Sequence, residues 1–284
     1  MGAITATLAA GGRVVPLNQP GELGAIWCET LAGWWGTPEA KVELVERASG
    51  DGAHRVADEA ILYAARVVTL EVAASAANRE GVVGLMESVN ALAHQTVALE
   101  VADAKGPTTA RGYLEVEWSE EAYPGHQRGT ITLVCADPRR YGTARTAYVV
   151  PSGTAAGGLL YDESAAYLIL PVSFYGEAPE GNTATVANEG TSTAYPRITV
   201  SGSLPGGFVI VHDGGELAYS APVGSGAPVV LDCLTRTATV RGVDVTRALT
   251  RRDFPAIEPG GSLTISVLAA GTAAVAVESF DTYV

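Results

Sequence analysis

Apolar and polar residues alternate in short stretches along most of the chain. The stretch ARVVTLEVAA places Val68, Leu70 and Val72 on one face of an extended backbone, with Thr69 and Glu71 between them. A period of two residues is typical of strands that bury one face. Glycine, proline and Asp-Gly pairs separate the stretches, and these residues favour turns. The sequence therefore predicts a mainly β protein with many antiparallel hairpins.

The period changes once, in the stretch ANREGVVGLMESVNALAHQ. Its apolar residues recur at helical spacing: Val82, Leu85, Met86, Val89 and Leu92. This pattern predicts a single helix at about residues 77–94. Two glycines inside it weaken the helix by up to about 1 kcal/mol each, so we expect it to depend on docking against a sheet.

A long hairpin is predicted at about residues 111–137. In its first strand Tyr113, Glu115 and Glu117 share one face, whereas Trp118 lies on the other. The second strand is expected to end before Pro138, because proline has no backbone N–H for a strand ladder.

The end of this hairpin suggests a division into two domains, residues 1–142 and 143–284. The second half has no convincing helical pattern and reads as strand, turn, strand throughout. Closely spaced hairpins of this kind predict an antiparallel β-sandwich. Three of its turns are expected at Asp213-Gly214, at Leu234 to Arg236 and at Gly271.

Composition excludes several classes of protein. The chain has 31 acidic and 18 basic residues, a net charge of −13, which argues against non-specific nucleic-acid binding. Its three cysteines, Cys28, Cys135 and Cys233, are far apart, so we expect free thiols and a reducing compartment during folding. The most apolar window, residues 60–77, contains two charged residues and predicts no membrane insertion. The first residues lack the positive segment of a signal peptide.

The sequence contains no recognisable catalytic or cofactor motif. Its four histidines lie far apart, without the spacing of a metal site. Nucleophile-elbow, dinucleotide-binding and phosphate-loop patterns are missing. The many acidic residues leave a glycosidase carboxylate pair open. We nevertheless predict that the protein is not an enzyme and has no catalytic residues, cofactor or metal ion.

Two adjacent tryptophans, Trp34 and Trp35, raise a question about binding. In an extended chain they point to opposite faces, so one is expected in the core and the other on the surface. An exposed tryptophan can anchor an interface or stack on a sugar. The alternative is that both pack within the domain.

Several segments, taken in order, resemble the distal tail proteins of long-tailed, siphovirus-type bacteriophages, a family also called phage tail or minor tail proteins. The first half contributes GWWGTPEAKVELVERASGDG, ARVVTLEV and the ADP-x-x-Y pattern in LVCADPRRYG. The second half contributes GGLLYDESAAYLILPVSFYG, NEGTSTAYPRITVSG, VVLDCLTRTATVRG and FPAIEPGGSLTISV. Two positions depart from the family pattern: Tyr161 stands where an aromatic-proline pair is usual, and Ser262 where asparagine is common.

The resemblance implies a structural virion protein at the distal end of the phage tail. Its first domain would be a β-sandwich with one helix and a belt hairpin, assigned to residues 111–137, that joins six copies into a ring. One face of this hexamer would meet the tail tube protein, and the other the tail hub or tail-associated lysin protein of the baseplate. DNA would pass through the central channel only in transit. The second domain would be a peripheral sandwich, similar to galectins and carbohydrate-binding modules. Synthesis would take place in the host cytoplasm.

The predicted ring or partner interface comprises Trp34, Trp35, Tyr113, Glu115, Glu117, Trp118, Arg139 and Arg140. The alternative function is a peripheral carbohydrate-binding module that attaches to host-surface glycan. Its candidate stacking residues are Tyr161, Tyr167, Tyr175, Tyr195 and Tyr219.

Overall fold

A computed structural model describes residues 5–18, 23–57, 61–121, 123–150 and 183–284. The mainly β prediction is confirmed. The chain divides into two compact units: Met1–Thr143 together with Tyr283–Val284, and Ala144–Thr282. The last two residues, expected in the second domain, thus group with the first unit. No helix in the described ranges is long and apolar enough to cross a membrane.

Seven strands of the first unit form a closed barrel. The elements are β1 (Thr5–Ala10), β2 (Arg13–Asn18), β3 (Ala25–Ala32), β4 (Arg66–Ser75), helix α1 (Arg79–Asn90), β5 (Val97–Asp103), β6 (Gly106–Trp118) and β7 (His126–Cys135). The lateral order of the strands is β6-β5-β1-β2-β3-β4-β7, and β7 pairs again with β6. The sandwich expected here is corrected to a barrel. Alternation fixes which face of each strand is buried, but not whether the outermost strands meet.

Alternate residues of these strands fill the barrel. Leu70, Leu99 and Leu133 are completely buried, and Val82 and Val89 of α1 pack into the same cluster. The predicted helix is confirmed, although it is shorter than residues 77–94. Asn78 caps its start, because its side-chain oxygen accepts a hydrogen bond from the Gly81 N–H at 2.9 Å.

The hairpin predicted at residues 111–137 exists, but it is part of the barrel wall. β6 and β7 pair from Tyr113 opposite Val134 to Trp118 opposite Gly129. β5 pairs with the outer side of β6, and β4 with the outer side of β7. Both strands of the hairpin are thus paired on their outer sides, and its role as a belt between copies stays a prediction.

The second unit contains two antiparallel sheets. After β8 (Arg140–Val149), which crosses the division between the units, the strands are β9 (Thr183–Ala187), β10 (Arg197–Ser203), β11 (Phe208–His212), β12 (Gly215–Tyr219), β13 (Val229–Asp232), β14 (Thr237–Val240), β15 (Val243–Asp244), β16 (Leu249–Arg252), β17 (Ser262–Ala269) and β18 (Thr272–Tyr283). One sheet has the order β15-β14-β13-β10-β18 and the other β16-β12-β11-β17-β9, and residues of both contribute to one hydrophobic cluster.

Two of the three predicted turns in this half close hairpins. Asp213-Gly214 joins β11 to β12, and the turn at Leu234 to Arg236 joins β13 to β14. The third prediction, a hairpin at Gly271, is wrong. Its two strands belong to different sheets, because β17 pairs with β11 and β9 whereas β18 pairs with β10. Both strands alternate regularly, and alternation does not specify the partner strand.

In the segment NEGTS, residues 188–192, the buried side chain of Asn188 forms hydrogen bonds with several backbone groups. Its side-chain nitrogen donates to the carbonyl oxygens of Ser192 at 2.8 Å and Ile257 at 3.1 Å. Its side-chain oxygen accepts from the N–H groups of Gly190 at 3.0 Å and Thr282 at 3.1 Å. One asparagine thus joins three chain segments of the second unit and satisfies their buried backbone groups.

Candidate assembly site: an arm and its base

An arm of residues 33–65 leaves the barrel between β3 and β4. The strands pair up to Ala32 opposite Thr69, and the chain then extends outward before it returns at Arg66. Isolated bridges join Ala40 to Tyr63 and Glu46 to Ala53, so the arm is a two-stranded ribbon. Its tip is the Ser-Gly-Asp-Gly turn at residues 49–52, where the two glycines have positive φ angles of 90° and 80°.

The arm exposes apolar side chains to solvent. Leu44 is 63% exposed and Leu62 is 61% exposed, and Val45 and Ile61 are exposed beside them in sequence. None of the described residues 41–57, 61 and 62 is buried. A lone two-stranded ribbon is marginally stable in water. Exposed apolar residues on such a ribbon indicate a surface that binds a partner.

Arg66 stabilises the base of the arm, where residues 33–36 leave the barrel and the chain returns to it. Its side chain is buried, with 1% exposure. The Nε–H donates to the carbonyl oxygen of Pro138 at 2.8 Å. Nη1 donates to the carbonyl oxygens of Gly33, Trp34 and Gly36 at 2.7, 3.0 and 2.9 Å. The chain returns to the barrel at Arg66, and the guanidinium of this residue therefore holds residues 33–36, where the arm begins.

The two tryptophans lie at a bend of the chain and have different environments. Trp34 is buried in the barrel cluster, whereas Trp35 is exposed and its indole N–H donates to Asp103 Oδ2 at 3.2 Å. The guanidinium of Arg140 lies 5.6 Å from the centre of the Trp34 ring and 6.0 Å from that of Tyr283. Trp34 and Arg140 thus form part of the arm base, and Trp35 lies on the surface next to it in sequence.

The other predicted interface residues lie on the barrel. Tyr113, Glu115 and Glu117 are exposed on the outer face of β6. Trp118 points the other way, packs against the barrel cluster and donates its indole N–H to Asn90 Oδ1 at 3.1 Å. Arg139 forms an ion pair with Asp137 at 3.3 Å. Their roles as contacts between proteins stay predictions.

Burial perturbs the ionisable groups near the arm base. Burial lowers the pKa of the Arg66 guanidinium, and the neighbouring positive charge of Arg140 lowers it further. Burial also lowers the pKa of Arg140. The pKa of the Tyr141 hydroxyl is raised by burial and by its hydrogen bond to Asp137. The arm base therefore brings the positive charges of Arg66 and Arg140 close together in a partly buried site.

The sequence analysis missed the apolar residues of the arm as binding residues, and it missed Arg66 as its anchor. The stretch KVELVER nevertheless indicates an unusual element, because charged residues stand beside Leu44 and Val45 and the stretch has no continuous apolar face. A two-stranded ribbon without a continuous apolar face cannot bury one side in the core of its own chain.

Of the five candidate stacking tyrosines, the structure describes Tyr195 and Tyr219. Tyr219 is 5% exposed and stacks on Phe208, with ring centres 5.3 Å apart. Tyr195 is exposed. Tyr161, Tyr167 and Tyr175 lie outside the described residues.

No family model and no curated protein sequence matches the chain. Solved structures do. One is the SPP1 Dit (gp 19.1) protein, described as a paradigm of the hub adsorption apparatus in Gram-positive infecting phages, with 15% identity, a TM-score of 0.62, and 98% of this chain and 99% of that chain covered. The chain shares the fold of that Dit protein. The resemblance to distal tail proteins is therefore confirmed at the level of the fold.

Two further similar structures are of the phage P2 baseplate in its activated conformation. The one with Ca is 13% identical, with a TM-score of 0.57 and coverage of 97% of this chain and 98% of that chain. The one with Sr is 12% identical, with a TM-score of 0.57 and 98% coverage of both chains. At these identities the likeness concerns the fold, and function has to be argued from the arm and its base.

Proposed function

We propose that the protein is a structural component of a phage tail tip that assembles into a ring, with six copies as the expected number. The observation that carries the proposal is the match to the SPP1 Dit protein over 98% of this chain and 99% of that one. The ring would join the tail tube protein to the tail hub or lysin protein, and its channel would pass DNA. The role is mechanical and non-enzymatic.

The arm is the element that would link neighbouring copies. The closed barrel leaves no strand edge in its wall that a partner could extend. Leu44, Val45, Ile61 and Leu62 are exposed on a ribbon that a partner would stabilise. If the arm of each copy binds the barrel of the next, the contact is head-to-tail, and such contacts generate rings when the rotation closes.

The net charge suits passage of DNA. A chain with a charge of −13 repels a polyanion, so a channel formed by it would not retain DNA. Measurement of the electrostatic potential along the channel of the assembled ring tests this point, and a basic channel would contradict it.

Light scattering and negative-stain imaging of the full chain test the assembly. We expect a six-fold ring with six times the 29.2 kDa mass of the chain. The double variant Leu44→Asp, Leu62→Asp should remain folded and become monomeric, because charges replace the apolar contact. Val243→Asp, which alters a comparably exposed residue of the second unit, serves as the matched control and should still assemble. A wild-type chain that stays monomeric at every concentration tested would refute self-assembly.

Peripheral carbohydrate binding and a galectin-like role for the second unit stay predictions. An array of cell-wall glycans, probed with the full chain, tests them. Binding that is lost in Tyr195→Ala would support them, and an array without signal would count against them.

A further inference from the structure

Two buried donor groups at the arm base lack a hydrogen-bond partner. Nη2 of Arg66 and Nε of Arg140 are inaccessible to solvent, and no described residue accepts a hydrogen bond from either. Both belong to guanidinium groups, which keep their charge in proteins. An unpaired buried donor in a native structure needs an explanation, and a bound ion is one of the usual ones.

The two guanidinium groups share one environment. Arg66 donates to the carbonyl oxygen of Trp34 at 3.0 Å, and Arg140 lies over the ring of the same tryptophan. Arg66 also donates to Pro138, which precedes Arg140 by two residues. The positive charge of Arg140 is close enough to lower the pKa of Arg66.

The nearby acid does not neutralise this pair. Asp137 Oδ1 accepts from the backbone N–H of Arg139 at 3.1 Å and from its guanidinium at 3.3 Å. The other oxygen, Oδ2, accepts from the Tyr141 hydroxyl. The described acceptors of Arg66 are all carbonyl oxygens, which satisfy hydrogen bonds but carry no net charge. Two like charges close together in a partly buried site, with no counter-charge among the described residues that accept from them, are unfavourable.

We propose that a small monovalent anion, of halide or formate size, binds at the arm base between Nη2 of Arg66 and Nε of Arg140. It would accept a hydrogen bond from each group and neutralise part of their charge. A water molecule could accept the same bonds but would leave both charges uncompensated. The bound anion would hold Arg66, and through it the carbonyl groups of residues 33–36, so that the arm leaves the barrel from a fixed point.

Thermal unfolding of the full chain at increasing sodium chloride concentration tests the proposal. The wild-type melting temperature should rise by about 2–4 °C and then saturate, as expected for binding to the folded state. Arg140→Gln should lose the saturable part, while Arg13→Gln, at an exposed arginine, should retain it. If Arg140→Gln does not fold, Arg140→Lys keeps the charge but loses the Nε–H, and its midpoint should move to at least about tenfold higher chloride. A parallel, unsaturated rise in all variants would show an effect of ionic strength only and overturn the proposal.

Crystals grown in sodium bromide give an independent measurement. An anomalous peak within hydrogen-bond distance of both Arg66 Nη2 and Arg140 Nε is expected. Bromide peaks elsewhere only would mean an adventitious ion only, and a water without anomalous signal at this position would also overturn the proposal. Neither readout depends on ring formation, so failure of the anion site and failure of the proposed assembly can be told apart.

Discussion

Removal of the arm should abolish assembly and leave the barrel intact. The variant replaces residues 41–62 with a four-residue Gly-Asn-Gly-Ser linker, so the bridge between Ala40 and Tyr63 is retained. The base also remains complete, because the carbonyl groups held by Arg66 belong to residues 33–36 and to Pro138. The described residues that are deleted include no buried side chain.

The expected change in stability is small. The connection between β3 and β4 shortens from residues 33–65 to about 15 residues, and the lower cost of loop closure favours the folded state by about 0.7 kcal/mol. No core contact is lost to oppose this gain. The free energy of unfolding should therefore equal that of wild type or exceed it by up to about 1 kcal/mol.

Tryptophan fluorescence during urea unfolding measures this quantity for the first unit alone. All four tryptophans of the chain, Trp27, Trp34, Trp35 and Trp118, lie within that unit. Light scattering of the same samples reports the oligomeric state. A loss of more than about 2 kcal/mol would show that the arm belongs to the barrel's fold, contrary to its exposure. A ring that persists without the arm would refute the arm as the contact between copies.

Three further substitutions test the interactions that fix each unit. Arg66→Met should lower the free energy of unfolding of the first unit by about 3 kcal/mol in the same fluorescence assay, because four carbonyl oxygens lose their donor; a loss below about 0.5 kcal/mol would contradict this anchor. Asn188→Ala should destabilise the second unit by about 2–3 kcal/mol in calorimetry, because two buried backbone N–H groups lose their acceptor, whereas the exposed control Thr191→Ala should change little. Burial alone would raise the pKa of Asp281, but hydrogen bonds from Arg145 and a backbone N–H lower it. Its carboxylate therefore stabilises the fold above the unfolded-state pKa of about 3.9, and this contribution is lost as the pH falls through the lower folded-state value. Asp281→Asn should reduce the melting temperature at pH 7 and flatten its decline in acid, and an unchanged acid profile would count against the ion pair.

Local patterns predicted much of the fold. The helical period at Val82 to Leu92 located helix α1, and the Asp213-Gly214 pair located a hairpin. These features are determined by neighbouring residues. The closure of the barrel and the passage of the chain between sheets at Gly271 were not predicted, because they depend on which distant strands pair. The same alternation of apolar and polar residues is compatible with pairing to a neighbouring strand or to a distant one.

The candidate site was predicted less well, for a related reason. Trp34 and Arg140 were selected as residues at an interface, but they pack into the base of the arm. The belt was assigned to the hairpin with the clearest alternation, and clear alternation is a property of strands that bury a face in a core. The arm has weak alternation and few internal bridges, since it has no core of its own to bury a face in. An element that is completed only by a partner therefore gives a poor signal in a single sequence.

The closed barrel also affects how readily separate chains aggregate. Chains with open strand edges are at risk of aggregating, because an unpaired edge can pair with a strand of another chain. The seven-strand wall has no such edge. In the second unit the terminal strand β15 is only two residues long, and β16 ends in Arg251 and Arg252, both of which discourage pairing with a stray strand. The edges at β15 and β16 therefore lower the risk that separate chains aggregate through strand pairing.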